Sequence, residues 1–163
     1  MDKGKLYKAF PEVDYDIKIF TNKLLSRYRI QIDTGNEELA GTNAKISIKL
    51  FGSDGTSPWY EIYSVPQPPS GITIEHLGTF EKGNTDNIYI SSLDLGEVNQ
   101  IQIKHDNGGP GPGWYISEIW VEDLDTKTTW HCQPNTWLEK VFSPSLLSIG
   151  VWKDNTNKTF NLE

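Results

Sequence analysis

The feature that most constrains this chain is a strict alternation of apolar and polar residues on both sides of a polar loop, in residues 28–50, YRIQIDTGNEELAGTNAKISIKL. Tyr28, Ile30 and Ile32 fall on one face and Arg29, Gln31 and Asp33 on the other. Ile46, Ile48 and Leu50 repeat the pattern against Ser47 and Lys49. Successive side chains of an extended strand point to opposite faces, so this period belongs to two strands with one face buried and one in water. The loop between them, 35–43, carries two acids, two glycines and two asparagines. Whatever the chain binds is expected to meet that loop and whatever faces it across the fold.

The same alternation recurs downstream. Residues 72–77, 88–90 and 98–105 read as strands, the last with Ile101 and Ile103 inward, and 59–65 as a short strand cut off by Pro66, Pro68 and Pro69. Residues 114–122 change phase: Trp114 and Ile116 share one face, Ile119 and Val121 the other. A β-bulge near Ser117-Glu118 shifts the period by one and returns both pairs to the core. Residues 130–132 and 137–141 supply the last strands, while HDNGGPGPGW is turn chemistry throughout. Seven or eight short strands, punctuated by Gly, Pro and Asn and without a helical stretch, predict an all-β, antiparallel β-sandwich. Its expected limits are 27–142. Residues 1–26 precede it as an arm, an extra edge strand or a linker, and 143–163 follow as an irregular tail.

Composition narrows the function. A chain of 163 residues with 36% hydrophobic and 12% aromatic residues can bury a core as one domain. A formal charge of −7 argues against nucleic acid, whose affinity rests on Lys and Arg neutralising phosphates. It argues equally against direct electrostatic docking on anionic lipid, so membrane contact would need exposed apolar side chains, a bridging cation, or both. Cys132 is the one cysteine, which excludes an intrachain disulfide and a Cys-based zinc cluster; it reads as a small core residue. No apolar run reaches the length of a transmembrane helix, and the first residues lack a signal-peptide core, as in a soluble or peripheral protein. Catalytic patterns are missing. His76, His105 and His131 lack metal-pair spacing, no G-x-S-x-G elbow occurs, and GGPGPG has no Lys-Ser/Thr to make a phosphate loop. Asp123 and Asp125 read as a solvated turn, and the chain is not expected to be an enzyme.

Four segments then carry a resemblance in combination: DTGNEELAGTNAKISIKLFG, FEKGNTDNIYI, LGEVNQIQIKHDNGGPGPGWYISEIWVED and WHCQPNTWL. Over about 27–138 the chain resembles the PLAT domain shared by lipoxygenases, animal lipases, polycystins and clostridial alpha-toxin phospholipases. The resemblance implies two four-stranded sheets and a non-catalytic module that directs a protein to a membrane lipid surface or a protein partner, often with calcium. Matched position by position, it implies calcium held by the carbonyls of Leu39 and Gly41, the side chain of Asn43, the carboxylate of Asp86 and the carbonyl of Asn87. Calcium takes six to eight hard oxygens in flexible geometry, which such loops supply. Asn43 stands where the family usually has Asp, and Leu39 where toxin-like members carry an acid. Asp86 is then the one firm anionic ligand, with Glu37 and Glu38 in reserve.

The family's membrane contacts are aromatics at loop tips. The 83–85 loop has none, so Trp59 and Tyr60, just past the GSDGTSP turn, are the candidates; their other reading is strand-starting core. Trp114, Trp120, Trp130 and Trp137 read as structural. Two other functions fit the same sandwich: a metal-independent protein-interaction module, and a carbohydrate-binding module with aromatic platforms.

Overall fold

The period-two stretches become strands. The computed structural model describes residues 7–8, 12–13, 25–62, 72–74, 80–108, 113–143 and 151–163, and these comprise fifteen strands. They are β1 (Tyr7–Lys8), β2 (Glu12–Val13), β3 (Leu25–Thr34), β4 (Ile46–Gly52), β5 (Gly55–Thr56), β6 (Tyr60–Ile62), β7 (Ile72–Ile74) and β8 (Thr85–Leu93). Then come β9 (Val98–His105), β10 (Trp114–Asp123), β11 (Thr129–Cys132), β12 (Thr136–Leu138), β13 (Lys140–Ser143), β14 (Val151–Asp154) and β15 (Asn157–Asn161). Of the expected strands at 59–65 and 72–77, β6 and β7 are described and Trp59 just precedes β6; residues 63–65 and 75–77, with His76 among them, and residues 109–112 lie outside the described residues.

Two antiparallel sheets make the sandwich. The first runs β11-β10-β3-β8-β7, with β12 also on β10; the second runs β15-β9-β4-β5, with β6 also on β4. The sheets therefore hold six and five strands, not four each. Part of the excess is one edge row broken in two. Pro134 falls between β11 and β12 and Pro58 between β5 and β6, and a residue without an N–H interrupts a ladder. β1–β2 and β13–β14 form separate two-stranded hairpins.

The core follows the alternation. Tyr28, Ile30 and Ile32 of β3 and Ile46, Ile48 and Leu50 of β4 have no exposure at all, and they join Ile88, Ile101, Ile103 and Trp114 in one apolar cluster. Burying each such side chain stabilises the fold by roughly 1.5–3 kcal/mol before entropy is counted. The phase change in β10 is a bulge: Ile116 lies opposite Thr34 but Glu118 opposite Asp33, leaving Ser117 as the additional residue. Its hydroxyl donates to the Asp33 carbonyl at 3.0 Å, and Trp114, Ile116, Ile119 and Val121 are all buried.

The sandwich does not stop at 142. β15 lies antiparallel to β9, with Phe160 opposite Ile101, and Leu162 is buried in the core. The stretch expected as an irregular tail thus supplies an edge of the second sheet. Its apolar signal, Phe160 and Leu162, is only two residues long. On the other side β3 begins at Leu25, within the stretch expected to precede the domain.

Candidate functional site

At one end of the sandwich the 35–45 loop is stitched to its neighbours by backbone hydrogen bonds. On one side the Thr34 amide donates to the Asn84 carbonyl, Gly83 to Gly35 and Thr42 to Phe80, at 2.9 to 3.1 Å. On the other, Gly35 donates to Tyr115 and Tyr115 to Ala40. The loop thus sits between the 80–84 turn and the start of β10. Trp114 fastens the base of both: its indole N–H donates to the Thr34 hydroxyl at 2.9 Å, and its ring meets Phe80 at a centroid distance of 4.5 Å. The Asp106 carboxylate accepts the Lys45 amide at 3.0 Å and the Gly108 amide at 2.9 Å, tying in the 105–108 turn. His105 completes that turn. Its Nδ1 accepts the Asn107 amide at 3.0 Å, which leaves Nε2–H to donate to the Leu138 carbonyl at 2.8 Å, so the ring is a neutral, buried connector.

Gly41 is required where the two loops touch. A Cβ there would lie 2.9 Å from the Lys82 amide nitrogen and 3.0 Å from the Phe80 carbonyl oxygen, closer than side chains tolerate against backbone. Beside it opens a cleft of about 420 Å³ lined by Glu38, Leu39, Gly41, Thr42, Asn43, Glu81 and Lys82. A second cleft, on the far side of Leu39, is lined by Asn107, Trp137 and Glu139 among others. Leu39 stands between the two at φ 65° with 79% of its surface exposed.

Three of the five residues implied as calcium ligands, Leu39, Gly41 and Asn43, meet in the first cleft. Asp86 and Asn87 do not line it. Asp86 is in phase with Ile88 and Ile90, so its side chain turns into the sandwich; it has no exposure, and its carboxylate accepts the Phe80 amide at 2.8 Å. It braces the turn at Phe80, whose backbone is left-handed at φ 65°. Asn87 lies on the opposite face of β8, opposite Gln31 of β3. The carboxylates on the cleft are Glu38 and Glu81, the latter not singled out by the sequence pattern. Among the described residues no three of His, Cys, Asp and Glu gather at one point. The cleft brings two glutamates and the Asn43 amide to one rim, oxygen donors of the kind a hard cation takes, with Lys82 on the same rim opposing it.

The two candidate membrane aromatics lie elsewhere. Tyr60 starts β6 opposite Ile48, packs against the core, and donates its hydroxyl to the Ser91 carbonyl at 2.6 Å. Trp59 lies over the outer face of the second sheet, with the Lys104 ammonium 4.1 Å and the Lys49 ammonium 5.7 Å from its ring centroid. Neither is at a loop tip. Of the tryptophans expected to be structural, Trp114 and Trp130 are buried, whereas Trp120 and Trp137 are half-buried on the outside, stacked on His131 and edge-on to Tyr115. Burial pushes the Cys132 thiol up to about 11, which keeps it protonated and inert at neutral pH. Among the described residues no helix is long and apolar enough to cross a membrane.

Comparison with known proteins agrees with this architecture. Residues 28–146 match the PLAT/LH2 domain model. Over 130 residues, 74% of the chain, the sequence is 35% identical to polycystin-1-like protein 3 of Mus musculus, of which it spans 6%. Coral 8R-lipoxygenase, whose structure was described with calcium activation via a C2-like domain, superposes with a TM-score of 0.60 at 20% identity, over 83% of this chain and 16% of that one. A calcium-dependent 11R-lipoxygenase gives a TM-score of 0.50 at 29% identity, over 69% of this chain and 16% of that one. The sandwich, its stitched loop end and the sequence match across 28–146 place this chain in the PLAT/LH2 domain family, a non-catalytic module of lipoxygenases and polycystin-like proteins.

Proposed function

We propose that this domain docks on a membrane lipid surface with the help of calcium bound in the cleft between the 35–45 and 80–84 loops. One observation carries the reading: an exposed leucine, Leu39, stands on the rim of a cleft that Glu38, Asn43 and Glu81 also line, at the end of the sandwich. An acidic protein needs apolar insertion or a bridging cation to approach lipid, and this rim offers both together. Glu38 and Glu81 supply the negative charge that sets affinity, Asn43 an amide oxygen, and the loop around Leu39 and Gly41 its carbonyls. Asp86 acts from inside by fixing the Phe80 turn. Leu39 enters the lipid, with half-buried Trp137 beside the second cleft suited to the interface. The calcium-dependent lipoxygenases among its structural neighbours support the cation.

Calcium titration by calorimetry, run beside vesicle sedimentation with and without chelator, tests this. The expected result is calcium binding that weakens several-fold in Glu81→Gln, and calcium-dependent pelleting that Leu39→Asp abolishes while calcium binding persists. A melting temperature indifferent to calcium, with pelleting unchanged by chelator, removes the cation from the mechanism. Pelleting unchanged in Leu39→Asp removes the insertion.

A further inference from the structure

The outer face of the second sheet carries a feature that the loop-end reading leaves unused. Lys49 of β4 and Lys104 of β9 are diagonal neighbours, since Lys49 lies opposite Gln102 and Ser47 opposite Lys104. Both side chains lie half-buried along the sheet and bring their ammoniums to one indole, that of Trp59. Lys49 also lies 5.5 Å from the centroid of Phe51. Among the described residues neither lysine has a carboxylate within ion-pair distance, although the chain as a whole carries −7. Glu61 lies across Ser47 from Lys104, one strand removed. The polar groups alongside are committed: Gln102 donates to the Asn157 side chain at 2.8 Å and Gln100 to that of Asn161 at 2.9 Å. Two cations over an aromatic floor, whose ammoniums make no hydrogen bond among the described residues, suit a phosphate group.

We propose that Lys49, Lys104 and Trp59 form a second lipid contact, in which the two ammoniums take the phosphates of anionic phospholipids while the indole lies in the interface. The position favours a membrane over a soluble anion. Lys104 is one residue from the end of β9, beside the turn that Asp106 ties to Lys45, and Lys49 sits two rungs, about 7 Å, further along. Lys104 thus stands at the end of the second sheet that leads into the 35–45 loop, with Lys49 next along the same face. This contact rests on the membrane reading but not on calcium.

The test is sedimentation with vesicles of phosphatidylcholine alone and of phosphatidylcholine mixed with phosphatidylserine, in chelator, at low and high salt. Lys49→Gln/Lys104→Gln and the charge-retaining Lys49→Arg/Lys104→Arg are compared, with melting curves to establish that both fold. The wild type is expected to bind only the mixed vesicles in chelator, and to lose that binding at high salt. The Gln pair should lower partitioning roughly tenfold, from the loss of two cations at an anionic surface, and the Arg pair should keep it. Calcium binding by calorimetry should be unchanged in the Gln pair. Equal binding of wild type and Gln pair overturns the site, as does wild type that binds no mixed vesicle in chelator. Competition by glycerophosphoserine as strong as that by vesicles overturns the surface as the partner. Chelator-resistant binding lost in the Gln pair, with no calcium effect in any protein, keeps this contact and discards the calcium cleft.

Discussion

The two outer faces of the sandwich treat their cations differently. On the first sheet they sit on carboxylates: Arg29 on Glu122 at 2.9 Å and Arg27 on Asp125 at 2.8 Å. On the second sheet Lys49 and Lys104 sit on an indole, beside two amide–amide bonds that are closed on themselves. On the first face both arginines are paired, although Arg29 Nε and Asp33 Oδ1 stay buried without a hydrogen bond; on the second, among the described residues, the two lysines have no carboxylate. A formal charge of −7 is a sum over the whole surface, and a sum cannot say that one face has the opposite sign. The composition argument against anionic lipid therefore holds for the average surface and fails on the one patch where the sign is reversed.

Because the arginines of the first face are paired, breaking a pair there should cost the most stability. Arg29 and Glu122 keep only 31% and 18% of their side-chain surface exposed, so Glu122→Ala leaves a guanidinium largely out of water without its carboxylate. The expected loss is about 1–2 kcal/mol, the range for a charged hydrogen bond partly screened by solvent. Urea unfolding midpoints measure it. Lys49→Met with Lys104→Met should cost about 1 kcal/mol or less, because only cation–π contacts at a half-exposed site are lost. Should the lysine pair prove the costlier of the two, the contrast is wrong and those lysines are structural.

Acid separates the faces in another way. The Arg27 side chain, hydrogen-bonded to Asp125, holds that carboxyl below its ordinary value, and the Arg27 amide adds to the effect. The folded state therefore binds fewer protons there than the unfolded state. The stabilisation is complete above the ordinary carboxylate value of about 4 and is lost as pH falls through the lowered one. Arg27→Met should flatten that part of the acid limb of a melting-temperature profile, while Lys49→Met with Lys104→Met should leave it in place. A limb unchanged in Arg27→Met would assign the acid sensitivity elsewhere. Asp154 is one such carboxyl, lowered by the Thr156 hydroxyl and amide.

The sheets were legible because alternation reports which way each side chain points. Tyr28, Ile30 and Ile32 announced β3, and the phase change at Ser117 announced the bulge. Alternation also held information about Asp86, which is in phase with Ile88 and Ile90 and therefore faces inward; motif matching alone made it a loop ligand. The place of Trp59 was not legible. Whether an aromatic after a turn crowns a loop or lies over a sheet depends on register, here Tyr60 opposite Ile48, and register between distant strands is set by packing. Glu81 was missed as a cleft residue for the same reason: its nearness to Glu38 comes from bonds such as Thr42 to Phe80, not from spacing. β15 escaped because two alternating apolar residues are too few to declare a strand.

The smallest stability change should come from supplying what the second face lacks. Gln102 lies directly opposite Lys49 and two residues before Lys104 on the same strand face, so Gln102→Glu places a carboxylate between the two ammoniums. The substitution gives up the donation to Asn157 but gains an exposed ion pair, and the two nearly cancel, to within about 0.5 kcal/mol of wild type. The fold, the calcium cleft and Leu39 are untouched. Yet the face now resembles the first sheet, with its cations consumed, and binding to phosphatidylserine-containing vesicles in chelator should fall several-fold. Adding a negative charge anywhere weakens attraction to an anionic surface, so the control is Gln133→Glu, an exposed position between β11 and β12 at the edge of the first sheet. If both variants lose binding equally, only the overall charge matters and the lysine pair is not a site. A loss confined to Gln102→Glu means that the difference between the two faces lies in the partners of two lysines.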